Sequence, residues 1–253
     1  ELTDISPAKA GLNFLRWQYN RICATMSLYE SYRRAGNIMG KEIVLFHGSE
    51  NVIKNPSFKF NNSNNDFGKG FYCTNDRNLA YEWACSSDTD GFVNEYKLNL
   101  EELSVLSLSG RKYNIFNWLY VLLNNRKFRL RNDVAKHAKK YVIDNFAVDY
   151  MNYDVIIGTR ADDSYFSFAN AFLNNNISLS QLEKMMKFKK SHEQIVLKSE
   201  KAFNAIEFAK SSVAKRNIYY QRKLSRDLGL RKEIIVNLDT KDLLKQEFII
   251  DIL

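Results

Sequence analysis

The chain is poor in the residues that most often build metal sites and covalent scaffolds. Cysteine occurs only as Cys23, Cys73 and Cys85; an odd count without CxxC spacing excludes a disulfide framework and a thiolate zinc site. A reducing cytoplasm is the expected compartment. Histidine is limited to His47, His137 and His192 and no HExxH helix is present, so no metal centre is expected. With two prolines among 253 residues and no internal repeat, nothing reads as a stiff linker or a solenoid. No run approaches the roughly 20 apolar residues that span a bilayer. The start at Glu1-Leu2-Thr3-Asp4 lacks the cationic region and apolar core of an export signal. These absences predict a cytoplasmic protein with no membrane partner.

Phosphate-binding signatures are missing as well. There is no GxxxxGK[ST] loop, and Gly68-Lys69-Gly70 lacks the third glycine and the strand-to-helix setting of a dinucleotide fingerprint. Asp66-Phe67-Gly68 has no HRD, VAIK or APE companion, which excludes a kinase. What is abundant is positive charge. Lys and Arg number 37 against 29 Asp and Glu, a formal charge of +8, which favours a polyanionic partner.

Residues 1–38 read as a helical extension, with Leu12, Leu15, Ile22, Met26 and Tyr29 set among arginines. Residues 39–253 read as the main domain. Within it Ile43–Phe46 predicts a buried strand ending at His47, Phe71–Thr74 a second, and the Asn75-Asp76 cap signal a helix over Arg77–Cys85. Further strands are expected near Val93–Leu100, Ser104–Leu108, Tyr153–Gly158, Glu193–Lys198 and Phe203–Phe208, the last two joined by a Ser199-Glu200-Lys201 turn. Helices are expected over Asn114–Asn124, Asp133–Phe146, Ser164–Phe172, Leu182–Phe188 and Tyr219–Arg231, with a last strand over Phe248–Leu253. Asp162 or Asp163 is the natural cap of the Ser164 helix.

The chemistry-bearing residues fall on strand ends. Leu45-Phe46-His47-Gly48-Ser49 delivers a histidine to a Gly-Ser turn, and Asp66-Phe67-Gly68-Lys69-Gly70-Phe71-Tyr72-Cys73-Thr74 presents Tyr72 after a glycine-permitted turn. Glu193-Gln194 opens a later strand. Strand alternation puts Glu193 and Gln194 on opposite faces. Together with Ala80, Trp83-Ala84, YDVIIGTRADDSYF, EQIVLKSEKA, YYQRKLSRD and FIIDIL, these blocks resemble bacterial ADP-ribosyltransferase-like proteins of the DUF3990 type, in the histidine-tyrosine branch of that fold. The resemblance spans about Lys41 to Leu253.

It implies an α+β, ADP-ribosyltransferase-like fold, two small packed sheets around an NAD cleft with helices outside. It implies transfer of ADP-ribose from NAD to a protein or nucleic-acid acceptor, in an intracellular toxin or defence effector with an antitoxin protein as partner. His47 would bond the adenosine-side ribose, the Gly48 backbone the nicotinamide carboxamide, and Ser49 the pocket floor, while Tyr72 would stack on the nicotinamide ring. Where potent toxins of this kind carry a glutamate this chain offers Gln194, which holds a hydroxyl but is no base. Glu193 remains an alternative. The Arg160-Ala161-Asp162-Asp163 loop either caps a helix or supplies Asp163 as the carboxylate and Arg160 as a phosphate contact. Asp66 and Lys69 are expected to shape their turn, and Arg226 and Arg231 to serve tail packing or face solvent. Alternative readings are a non-catalytic NAD, ADP-ribose or nucleic-acid binding module, and an NAD hydrolase.

Overall fold

A computed structural model describes residues 42–58, 65–109, 112–161, 163–187, 193–237 and 247–253. The expected extension over 1–38, Asp162 and His192 lie outside the described residues. In chain order the elements are β1 (Glu42–Ser49), β2 (Phe71–Cys73), α1 (Arg77–Ala84), β3 (Gly91–Asn99), β4 (Val105–Ser107), α2 (Ile115–Asn125), α3 (Asp133–Asn145) and β5 (Val155–Thr159). They continue with α4 (Asp163–Leu173), α5 (Leu179–Lys187), β6 (Glu193–Leu197), α6 (Glu200–Asn204), β7 (Ile206–Ala214), α7 (Arg216–Asn237) and α8 (Ile249–Ile252). The fold is α+β, with two small sheets flanked by helices.

One sheet is antiparallel in the order β1-β3-β7, and the other runs β2-β6-β5-β4 with only β4 and β5 parallel. The parallel pair needs a long crossover, which α2 and α3 supply. Between the sheets lies an apolar layer of Leu45, Phe71, Tyr96, Leu98, Ile195 and Leu197. The outer face of the four-stranded sheet packs Leu106, Ile156 and Val196 against Phe67 and Val121 of α2. Beyond it α2 to α5 and α8 enclose a helical core around Leu119, Leu122, Phe172 and Leu182.

Capping chemistry sets the helix starts. The Asp76 carboxylate accepts from the Asn78 and Leu79 amides and starts α1, and Asn114 and Asn117 bond each other's backbone N–H groups at α2. Asn132 does the same work for α3 and Ser178 for α5, where Gln181 returns the bond to the Ser178 amide. These satisfy N–H groups that a helix leaves orphaned.

Two expectations are corrected. The Ser199-Glu200-Lys201 turn is the first turn of α6, because the Ser199 hydroxyl accepts from the Ala202 amide as an N-cap, and β7 begins only at Ile206. The expected last strand is the helix α8. Ile249 and Ile252, three apart, both pack on the helical core, and the Asp251 carboxylate accepts from the Phe248 amide. A three-residue apolar spacing wins over β-propensity when the packing surface is a helix bundle.

Candidate active site

Among the described residues one backbone bridge joins the two sheets. Phe46 of β1 and Thr74, just past β2, exchange both backbone bonds, 2.8 and 2.9 Å. At this bridge the faces of the two sheets become continuous. Phe46 lies beside Thr74, Thr74 is one step past the Cys73–Ile195 pair and so beside Gln194, and Gln194 is opposite Gly158. The neighbouring row on the same face holds Gly48, Tyr72, Val196 and Ile156. Gly48, Tyr72 and Gln194, far apart in sequence, therefore share one face.

Helix α1 lies on this face at Gly48. A Cβ there would stand 2.1 Å from the Ala80 carbonyl oxygen, 2.7 Å from the Ala84 amide nitrogen and 2.9 Å from Trp83 Cβ. Only glycine permits that approach of helix to strand. The alternation that turns the Phe46 N–H and C=O toward β2 also turns those of Gly48 to the same edge. Trp83 is thereby brought to the site, a residue to which the sequence reading gave no role. The Arg160 guanidinium lies over its ring, 4.9 Å from the centroid, a cation–π contact.

Gln194 is buried, 5% exposed, and among the described residues its Oε1 has no hydrogen-bond partner. Trp83 Nε1 is likewise buried without one. A buried unpaired donor or acceptor costs about 1–3 kcal/mol, so each atom calls for a ligand group or water.

The turn before β2 is fixed on every side. Asp66, 4% exposed, accepts from Arg126 Nη1 at 2.6 Å and from the Ala161 amide at 2.8 Å. Burial pushes its carboxyl above the ordinary carboxylate range, opposed by the Ala161 amide and by the Arg126 and Arg160 charges. The Tyr72 hydroxyl donates to the Gly68 carbonyl at 2.6 Å and accepts from the Phe67 amide at 3.0 Å. Lys198 Nζ donates to the Phe67 carbonyl at 2.5 Å, and burial lowers its pKa to about 8. Gly68 has φ +75, the left-handed region open to glycine. Asp66 thus joins the turn to the loop after β5, and Lys69 holds its ammonium 4.3 Å from the Phe58 ring.

The histidine is on the other face. His47 Nδ1 bonds the Tyr72 carbonyl at 2.7 Å, and its ring stacks on Phe71 with centroids 4.4 Å apart. A carbonyl only accepts, so Nδ1 carries the proton, and burial lowers the ring's pKa, leaving Nε2 as an acceptor. Ser49 Oγ donates to the Asn51 carbonyl and accepts from Asn94 Nδ2 at 3.0 Å, holding the loop after β1. Glu193 shares the His47 side of β6 by alternation, separated from Gln194. Asp163 opens α4, three residues after Arg160. The structure therefore gathers Gly48, Tyr72, Gln194 and Arg160, adds Trp83, and links His47 to them through the β2 backbone.

Among the described residues no group of three His, Cys, Asp or Glu is placed to hold a metal, and no helix is long and apolar enough to cross a membrane. No curated protein and no solved structure matches the chain. A family model described as a protein of unknown function (DUF3990) matches residues 43–208, more than half of the chain and the whole span that carries this site; the chain belongs to the DUF3990 family.

Proposed function

We propose that the protein is an ADP-ribosyltransferase-like enzyme that takes NAD as substrate and transfers ADP-ribose to a macromolecular acceptor. The observation that carries the reading is the buried, unpartnered Gln194 Oε1 on the face that also holds Gly48 and Tyr72. A ribose hydroxyl is a donor of the kind that atom lacks. The Gly48 backbone, turned to the β2 side beyond the Phe46–Thr74 bridge, matches the donor and acceptor of the nicotinamide carboxamide, with Tyr72 and Trp83 as ring surfaces. Arg160 supplies charge for a phosphate, and His47 Nε2 offers an acceptor to the second ribose.

In the reaction the C1′–nitrogen bond breaks and its electron pair leaves with nicotinamide, neutralising the pyridinium. The acceptor's lone pair bonds C1′, and its proton passes to a base. Positive charge grows on the ribose between these events, so a carboxylate near it lowers the barrier. Asp163 is proposed for that role and Gln194 for the hydroxyl. The net charge of +8 favours a nucleic-acid acceptor. An intracellular toxin or defence effector, restrained by an antitoxin protein, is the proposed setting.

Labelled NAD is incubated with the protein and cell lysate, and the products are digested separately with protease and nuclease. Label lost to one digestion identifies the acceptor class. A second reading, a non-catalytic module that binds NAD or ADP-ribose, is favoured by the glutamine at position 194; it is the outcome if NAD raises the melting temperature while no label is transferred and no nicotinamide is released. Absence of any NAD or ADP-ribose binding by calorimetry at millimolar concentration refutes the cofactor assignment.

A further inference from the structure

Helix α7 begins at Arg216, beyond the residues 43–208 that the family model covers, yet it packs against both α1 and α4. Both helices adjoin residues of the site. Helix α1 carries Trp83, and α4 follows directly on the Arg160 loop that lies over the Trp83 ring. The hold on α1 is specific. Tyr219 stacks on Tyr81 with centroids 4.4 Å apart and planes within 10°, and Arg226 Nη1 is 2.7 Å from Glu82 Oε2, the two side chains 11% and 14% exposed. Glu82 and Trp83 are consecutive, so the ion pair anchors the turn of helix that positions the indole.

The site itself is closed. Gln194 and Thr74 are buried, and Arg160 covers one face of Trp83. A dinucleotide requires far more open surface than such a face provides. We propose that α7 is a strap across the mouth of the site, latched to α1 by the Glu82–Arg226 pair and the Tyr81–Tyr219 stack, and that its release admits the ligand. That the ligand is NAD rests on the proposed function; that α7 is latched to the helix carrying Trp83 does not.

A latch of this kind lowers the fraction of molecules competent to bind, so weakening it raises that fraction and the apparent association rate together. Two readouts separate the inferences. The first is quenching of Trp83 fluorescence by acrylamide, with Trp83→Phe proteins subtracting the signals of Trp17 and Trp118. Arg226→Ala is expected to raise the Trp83 quenching constant about twofold or more, and the charge swap Glu82→Arg with Arg226→Glu to return it toward the wild-type value. The second is stopped-flow association of NAD, expected to become about tenfold faster in Arg226→Ala. Should Arg226→Ala fail to fold, Tyr219→Leu, which removes the stack and keeps the ion pair, is read the same way. Unchanged Trp83 quenching in folded Arg226→Ala or Tyr219→Leu overturns the strap, whatever NAD does. Increased quenching with no NAD binding in any protein, wild type included, keeps the strap and refutes the NAD reading instead.

Discussion

Replacing Gly48 by alanine tests whether this glycine serves the helix as well as a ligand. The added Cβ would stand 2.1 Å from the Ala80 carbonyl oxygen, where real Cβ contacts stay beyond 3.0 Å, and both nearest atoms are helix backbone. No rotamer change relieves that clash, so α1 must retreat by about 1 Å. A gap of that size forfeits a quarter to a half of the dispersion attraction across the interface. The contacts at stake are those of Ala80 and Ala84 with Val93. Overpacking of this kind costs about 1–3 kcal/mol, which for a domain of this size lowers Tm by roughly 2–12 °C. Gly229→Ala is the internal control: it lies in α7 with nothing within 4 Å of the added carbon, so helix propensity alone should stabilise by about 0.5–1 kcal/mol. Scanning calorimetry on both variants decides the matter. A Gly48→Ala protein that melts within a degree of wild type refutes the close approach of α1, and loss of NAD binding without loss of stability would then assign Gly48 to the ligand alone.

Four further outcomes follow from the same geometry. Tyr72→Phe leaves the Phe67 amide and the Gly68 carbonyl without the hydroxyl, and denaturant melts should show a loss of about 1–3 kcal/mol; no loss would mean that the hydroxyl does not pin the turn. Asp66→Asn removes the charge facing Arg126 and one of two acceptor oxygens, and should destabilise by about 1.5–3 kcal/mol. In pH titrations, the lowered His47 pKa means that the unfolded chain takes up the proton first, so this residue's contribution is complete above its unfolded value of 6.5 and is lost as pH falls below it; His47→Gln should flatten that acid slope. Lys198, near 8 when folded and 10.5 when unfolded, works in the alkaline window: wild type should gain stability relative to Lys198→Met as pH rises from 8 toward 10.5.

Much of this architecture is legible in the chain because its signals are local. Asp76 announces a helix start through a side chain that reaches only two or three residues along. The Val155–Gly158 run and the Glu193–Leu197 run read as strands because both are buried and β-prone. Phe248–Leu253 departs from its strand pattern because its partner is not local: the run becomes a helix where Ile249 and Ile252 meet the bundle. The same limit applies to Trp83, whose approach to Gly48 depends on how closely α1 rides on β1. No spacing within either segment reveals that.

The pleat adds a constraint that residue lists alone conceal. His47 and Tyr72 look like partners in one pocket, but Phe46, not His47, is level with Thr74 on the face that holds Gln194. His47 instead packs its ring on Phe71 and spends Nδ1 on the Tyr72 carbonyl. Its influence on that face therefore passes through the placement of β2, while its own Nε2 looks to the other side of the strand. A ligand held by both must wrap the edge where β1 and β2 diverge. A dinucleotide, with two riboses joined by a flexible pyrophosphate, has the length and the hinge to do so, whereas a compact mononucleotide would engage one side only. The two sides are separable by ligand truncation: nicotinamide mononucleotide should lose little affinity on His47→Ala, and ADP-ribose much more. Equal losses for both would place His47 in contact with the nicotinamide half and refute the division of the site by the pleat.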